Sequence, residues 1–278
     1  MPGIELTRHR LLQTSMVAVC DVCRRGIAAN VGTTESADAM QLVFPYRGVS
    51  VWQFGAVETV AESNQVLLLN AAERFRVSHP AGGGDASLVL AIVPAQLQEM
   101  VPKALRRDGP EFAFRQRRLR IDPRAQALVA ILRHSLRVGS AEPLEAESLA
   151  LTLAQRALGT RTARAATAST GRQRLADRAK LVIASDLSRR WTLADIASKV
   201  GGSAVYLTQV FQQVEGLPLY RYQLRLRLAR ALDLMHQYDD LTALSLTLGF
   251  SSHSHFSAAF QQAYGRSPTQ YRELARQR

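Results

Sequence analysis

Apolar and polar positions along the chain change rhythm twice. Between Gln41 and about Ile92, short apolar stretches alternate with turn residues: Gln41 to Phe44, a turn at Pro45-Tyr-Arg-Gly48, then Val49 to Phe54, Val66 to Leu69, Arg74 to Ser78 and Leu88 to Ile92. Runs of this length, rich in β-branched and aromatic residues, predict the strands of a small β-barrel or sandwich. Gly82-Gly-Gly84 reads as a hairpin loop, because no Lys-Ser or Lys-Thr follows it to make a phosphate loop. After Pro123 the period lengthens: Leu128, Ile131, Leu132 and Leu136 recur at helical spacing, as do Leu144, Leu149, Leu151 and Leu158 after Pro143. Proline suits a first helical turn, so two helices should follow the strands and either pack on them or form a dimer face. Gly159 to Gly171, rich in Ala, Thr and Arg, reads as an interdomain linker.

Beyond the linker the pattern is helical, and it repeats. Phe211-Gln-Gln-Val-Glu-Gly216 returns 49 positions later as Phe260-Gln-Gln-Ala-Tyr-Gly265. In the first copy Thr192 and Asp195 have the spacing of a capping box, with Leu193, Ile196, Ala197 and Val200 as the inner face of a short helix. Gly201-Gly202 breaks it, and Ser203 caps a second helix with Leu207, Val210, Phe211 and Val214 inward and Val205, Thr208, Gln209 and Gln212 outward. The second copy starts at Asp240, turns at Gly249-Phe250 and restarts at Ser252, with Ser254, Ser257, Ala258 and Gln261 outward. Between the copies Pro218 opens a long helix, with Tyr220, Leu224, Leu228, Leu232 and Met235 expected on its inner face. Two short helices joined by a glycine turn, present twice, suit two insertions into successive major grooves about 34 Å apart.

Charge agrees with this placement. The chain carries a net +12, and residues 159–278 hold 17 Lys and Arg against 8 Asp and Glu, so the face for a polyanion should be C-terminal. The N-terminus is polar and no apolar run is long enough for a membrane-spanning helix, so a cytoplasmic chain without membrane contact is expected.

Thr192-Leu-Ala-Asp-Ile-Ala197, Leu207 to Phe211, Arg225-Leu-Arg-Leu-Ala-Arg-Ala231, Leu248-Gly-Phe-Ser-Ser252, Ser254-His-Phe256, Phe260, Gly265 and Ser267-Pro-Thr-Gln-Tyr-Arg272 together resemble the DNA-binding domain of the AraC/XylS family of bacterial transcription regulators. The resemblance covers about Arg172 to Arg272. Phe44-Pro-Tyr-Arg-Gly48, Asn70, Arg74 to Pro80 and Gly83-Gly-Asp85 resemble, more loosely, the cupin-like sensor domain of the same family. The implied fold is α+β and multidomain: a cupin-like β-barrel with two helices over 1–158, a linker over 159–171, and an all-α domain over 172–278 with two helix-turn-helix units joined by a long helix. The resemblance implies that the second helix of each unit reads bases, through Val205, Thr208 and Gln209 and through His253, Ser254, Ser257 and Ala258. Gln212 and, on the connecting helix, Arg225 and Arg227 complete the expected DNA-binding set, Arg227 being equally suited to an internal salt bridge with an acid such as Asp195 or Asp233. Neither recognition face carries Arg or Lys, so the commonest guanine contact is missing.

The expected function is therefore sequence-specific regulation of transcription in response to a small-molecule effector, as an activator, with repression left open beside it. Expected partners are double-stranded DNA, the effector, a second copy of the chain, and RNA polymerase if the protein activates. Candidate pocket residues are Trp52, Phe54, Arg74, Phe75, Arg76 and His79, for which core packing and solvated edge are the plainer roles. No cofactor or catalytic group is expected. Two alternatives stay open: a metal- or thiol-sensing regulator using Cys20 and Cys23, and a cupin-type enzyme fused to a DNA-binding module. The enzyme would need a His-x-His pair and further ligands, whereas His79 alone lies near the strands. His253 and His255, two apart on one helix, face different sides.

Overall fold

The structure, a computed structural model, describes residues 5–25, 32, 34–159 and 169–277, with side chains to Glu273. Most of the expected linker, residues 160–168, lies outside the described residues. Two compact units are present, one built on Met1–Arg164 and one on Ala165–Glu273.

The first unit contains β1 (Glu5–Gln13), β2 (Val17–Arg25), β3 (Glu35–Ser36), β4 (Gln41–Gly48), β5 (Ser50–Phe54), β6 (Val57–Ala61), β7 (Gln65–Leu69), β8 (Arg74–Ser78), β9 (Asp85–Ile92), α1 (Pro94–Met100), β10 (Arg118–Arg120), α2 (Pro123–Val138) and α3 (Pro143–Leu158). Among the described residues the strands form two antiparallel sheets, in the orders β1-β2-β9-β4-β7-β10 and β3-β8-β5-β6, rather than one closed ring of hydrogen bonds. The larger sheet is buried on both faces, which is why its central strands read as unbroken apolar runs. Leu42, Phe44, Val66 and Leu68 pack with Val129 and Leu132 of α2 and Leu153 of α3. Their alternates Val43, Leu67 and Leu69 pack with Trp52, Phe54, Phe75 and Val77 of the smaller sheet.

Pro45 does not end a strand, as its turn-like context predicts; β4 continues to Gly48 through a register shift between Pro45 and Arg47. β4 pairs with β7 only up to Val43, so at Pro45 one side of the strand needs no N–H donor. Asp122 caps α2 by accepting from Ala125 N at 2.9 Å and also accepts from Arg156 Nε of α3 at 2.9 Å. Burial acts to raise its pKa, and the Arg156 and Ala125 hydrogen bonds outweigh this, holding it below the ordinary carboxylate value.

Cys20 and Cys23 both lie on β2, unpaired to each other. An odd separation on a strand puts them on opposite faces, about 10 Å apart along the chain. Cys23 faces Tyr46 and Asp21, while Cys20 sits opposite Arg10 and Val89 in the neighbouring strands. A metal chelate or disulfide between them is ruled out by this placement, so the pairwise thiol reading does not stand.

The second unit is helical: α4 (Thr170–Ser185), α5 (Leu193–Val200), α6 (Ala204–Glu215), α7 (Leu219–Leu234), α8 (Leu241–Thr247), α9 (His253–Tyr264) and α10 (Pro268–Gln277). The inner face of α7 differs from the one expected. Tyr220 is 65% exposed, and Leu219, Tyr222 and Leu226 join the core of the first helix pair instead, while Leu228, Ala231 and Leu232 are buried further along. The helix is covered on two sides, so a single apolar stripe cannot describe it. Lys180 of α4 is fully buried among the apolar residues of this core and pairs with Glu215 at the end of α6. No helix among the described residues is long and apolar enough to cross a membrane.

Candidate functional site

Each helix of the two pairs is started by a side chain that supplies the missing backbone acceptor. At α5, Thr192 Oγ1 accepts from Asp195 N and Asp195 Oδ2 accepts from Thr192 N, both at 3.1 Å. These backbone and hydroxyl contacts with Thr192 lower the Asp195 pKa. Ser203 Oγ accepts from Tyr206 N at 3.2 Å to open α6, and Ser252 Oγ accepts from His255 N at 3.1 Å to open α9. Asp240 Oδ1 accepts from Thr242 N at 2.7 Å at the start of α8, which likewise depresses its pKa. Unpaired N–H groups at four helix starts are thereby satisfied, and the entry angle of each helix is set.

The two helix pairs are held in fixed relation by one arginine. Arg227 on α7 donates to the carbonyls of Leu187 at 2.6 Å, Arg189 at 3.0 Å, Ser188 at 3.2 Å and Gly249 at 3.0 Å. The first three belong to the loop before α5, and the last to the turn between α8 and α9. Its guanidinium lies 6.0 Å from the Phe250 ring, and burial followed by the nearby Arg190 charge lowers its pKa. This is not the internal salt bridge with Asp195 or Asp233 considered from sequence; Asp233 pairs with Arg230. The carbonyls absorb the donors of Arg227, so the geometry gives it a positioning role. Gly249 completes the junction: at φ +79°, a Cβ there would lie 2.2 Å from Ser188 O. Arg272 of α10 donates to the Tyr238 and Asp239 carbonyls at 3.2 and 2.8 Å, fastening the last helix to the loop before α8.

On this frame Val205, Gln209 and Gln212 are exposed along one face of α6, with Val205 69% exposed. Thr208 is half-buried and its hydroxyl donates to Ala204 O at 2.9 Å, leaving only its lone pairs outward. Ser254 and Ala258 are exposed on α9, and Ser257 is half-buried with its Oγ 3.2 Å from His253 Nε2. His253 is therefore turned along the helix, and His255 Nδ1 lies 3.2 Å from Ser251 Oγ with its ring edge-on to Phe250. Arg225 is half-buried on α7 near Tyr264. Exposed Tyr206, next to Val205, escapes the sequence reading because its position falls between the inward and outward stripes.

The six expected effector residues are not gathered into one site. Trp52, Phe54 and Phe75 stack within the core between the sheets, with Trp52 and Phe75 centroids 4.7 Å apart. Arg74 and Arg76 flank Phe75 on β8 and point the other way, into solvent, as strand alternation requires. His79 is buried, its Nε2 2.7 Å from Asp85 Oδ1. Around these aromatics runs a buried polar network that sequence reading does not reveal. Arg24 binds Glu35 through two hydrogen bonds of 3.1 and 2.9 Å, lies 3.7 Å from Asp85 and stacks 5.1 Å from the Trp52 ring. Ser50 Oγ donates to Asp85 and accepts from Trp52 Nε1. Its members come from strands far apart in sequence, and only Gly83-Gly-Asp85 gave a hint.

Residues 196–274 match the family described as Helix-turn-helix domain. The HTH-type transcriptional activator RhaR of Klebsiella pneumoniae is 33% identical over 110 residues, 39% of this chain and 39% of that protein. The melibiose operon regulatory protein of Escherichia coli K12 is 34% identical over 97 residues, 34% of this chain and 32% of that protein. A transcriptional regulator structure from Chromobacterium violaceum, described as AraC-type in its DNA-binding domain, is 30% identical and covers 39% of this chain and 98% of that one, with a TM-score of 0.37. The chain thus spans well under half the length of the two curated relatives it matches. The capped and repeated helix pairs and these sequence matches identify residues 196–274 as a DNA-binding helix-turn-helix domain similar to those of these bacterial transcription regulators.

Proposed function

We propose that the protein is a cytoplasmic, sequence-specific transcription activator that lays α6 and α9 into two successive major grooves on one face of the duplex. The observation that supports this reading is the junction at Arg227 and Gly249, where hydrogen bonds and a close backbone approach tie the loop before α5 to the turn between α8 and α9. At 1.5 Å per residue the 16-residue α7 between them is about 24 Å long, a span compatible with grooves one turn apart. Residues 172–278 form the reader, 1–158 the sensor and 159–171 the connection. Val205, Gln209, Ser254 and Ala258 face base edges, with Gln212 and Arg225 at the sugar-phosphate backbone. Activation requires a contact with RNA polymerase, and we assign no catalytic role.

The first unit is read as a cupin-like effector domain. Two packed antiparallel sheets enclosing an aromatic cluster beside the Arg24, Glu35, Asp85 and His79 network support that reading, since a few fixed polar groups against an apolar wall suit small-molecule recognition. Leu144, 76% exposed at the start of α3, supports self-association through this unit. Selection of the full-length protein against a randomised duplex library, followed by titration of the winner at several salt concentrations, tests the reading. Enrichment of one sequence with affinity falling steeply in salt is expected. Folded protein without duplex binding at low salt would refute it.

A further inference from the structure

We infer that both recognition helices are built to read A·T base pairs, with the Val205 and Ala258 side chains seated against thymine methyl groups and Gln209 on adenine. This deepens the proposed DNA-reading function and rests on it. The observation is what these helices lack. Residues 159–278 carry nine of the chain's twelve net positive charges, yet α6 and α9 contain no Lys or Arg. Their single acid, Glu215, is buried against Lys180. Arg or Lys on guanine and Asp or Glu on cytosine are the side-chain contacts that mark a G·C pair in the major groove. Neither is available from either helix. The histidines do not substitute for them, because His253 turns to Ser257 and His255 to Ser251 and Phe250.

What is present has the opposite chemistry. Val205, Gln209 and Gln212 follow one another at i, i+4 and i+7 on the exposed face of α6. The repeat places Ser254, Ala258 and Gln261 at the equivalent positions of α9, again exposed. Apolar side chains meet the thymine methyl, amides pair with adenine N6 and N7, and hydroxyls accept either pair. A β-branched valine 69% exposed in the first turn of a helix gains nothing from solvent and lowers helix propensity. Against a methyl group in a groove it recovers that exposed surface.

The test uses the full-length protein and the duplex it selects from a randomised library. A·T pairs are expected under both helices. Replacing each thymine singly by deoxyuridine removes only the methyl group, and one position under each helix should lose about fourfold in affinity, the factor that one buried methylene-sized group supplies. In Val205→Ala the sensitive position under α6 should become silent while that under α9 keeps its effect. Val205 is a surface residue, so an unchanged melting temperature verifies the fold of this variant, and the base analogue perturbs no residue. G·C pairs under both helices, or a tight selected duplex on which every deoxyuridine replacement is silent, would overturn the inference while leaving the DNA-reading function in place. Folded protein that selects no duplex would overturn both.

Discussion

The junction between the helix pairs makes a prediction that geometry alone can size. Gly249→Ala places a Cβ at φ +79° and 2.2 Å from Ser188 O, a backbone atom that cannot rotate away. The left-handed conformation costs about 1–2 kcal/mol for any L side chain. Forcing the loop before α5 aside adds overpacking of about 1–3 kcal/mol, so a total near 3 kcal/mol is expected. Gly201→Ala is the internal control, with a similar φ of +72° but nothing within 4 Å of its Cβ, so it should cost the conformational part alone. For a unit of this size each kcal/mol lowers Tm by about 4 °C, giving roughly 12 °C for Gly249→Ala and about half that or less for Gly201→Ala. Helical circular dichroism on heating, which reports mainly the second unit, measures both. Equal shifts would show that the approach of Gly249 to Ser188 holds nothing together.

Arg227→Ala should destabilise the second unit by about 3 kcal/mol through loss of charge-assisted hydrogen bonds to four carbonyls and so lower its Tm, without a selective change in base preference; uniform loss of duplex affinity at unchanged Tm would make it a phosphate contact instead. Arg225→Ala should weaken binding to all sequences alike and flatten the salt slope by about one unit, whereas Gln209→Ala should relax one base position by about 1–3 kcal/mol and spare non-specific binding; a library selection at two salt concentrations separates the two. Asp186, Asp195 and Asp240 all titrate below the ordinary carboxylate value, chiefly through hydrogen bonds from Ser188, Thr192 and Thr242. Depressed carboxylates stabilise fully above their unfolded pKa, about 4, so the second unit should keep its Tm from neutrality to that point and lose it as pH falls further. A melting profile already sloping between pH 8 and 6 would contradict this. Mild oxidation should yield no Cys20–Cys23 disulfide by mass spectrometry, since the two thiols occupy opposite faces of β2.

The helical half of the molecule was largely legible from sequence because its signals are local. Capping residues Thr192, Ser203, Asp240 and Ser252 stand next to the helices they start, and the inward residues of α6 and α9 recur at helical spacing. Where two long-range contacts compete for one helix, the pattern misleads: Tyr220 and Leu224 looked inward only because α7 buries two sides. Strand β1 was hidden by its own position, since an edge strand with Arg8, His9 and Arg10 exposed carries no apolar run to detect. The candidate readers on α6 and α9 followed from the repeat, whereas the role of Arg227 could not, because its acceptors are carbonyls from residues 22 and about 40 positions away. For the same reason Arg24, Glu35 and Asp85 announced nothing singly; burial brings them together.

Rigid double reading is the central claim, and helical phase tests it most directly. The full-length protein would be measured on its selected duplex and on the same duplex with five base pairs inserted between the two contacted segments. Half a turn of DNA then separates the grooves onto opposite faces, since B-DNA repeats every 10–10.5 base pairs or so. If α6 and α9 are locked together through Arg227 and Gly249, affinity should fall by roughly a hundredfold as one of two linked contacts is lost, and an insertion of about ten base pairs should not restore it, because the rigid spacing cannot stretch by a full turn. Undiminished binding to the five-base-pair insertion would contradict the account, showing that one helix pair reads alone or that the two move independently.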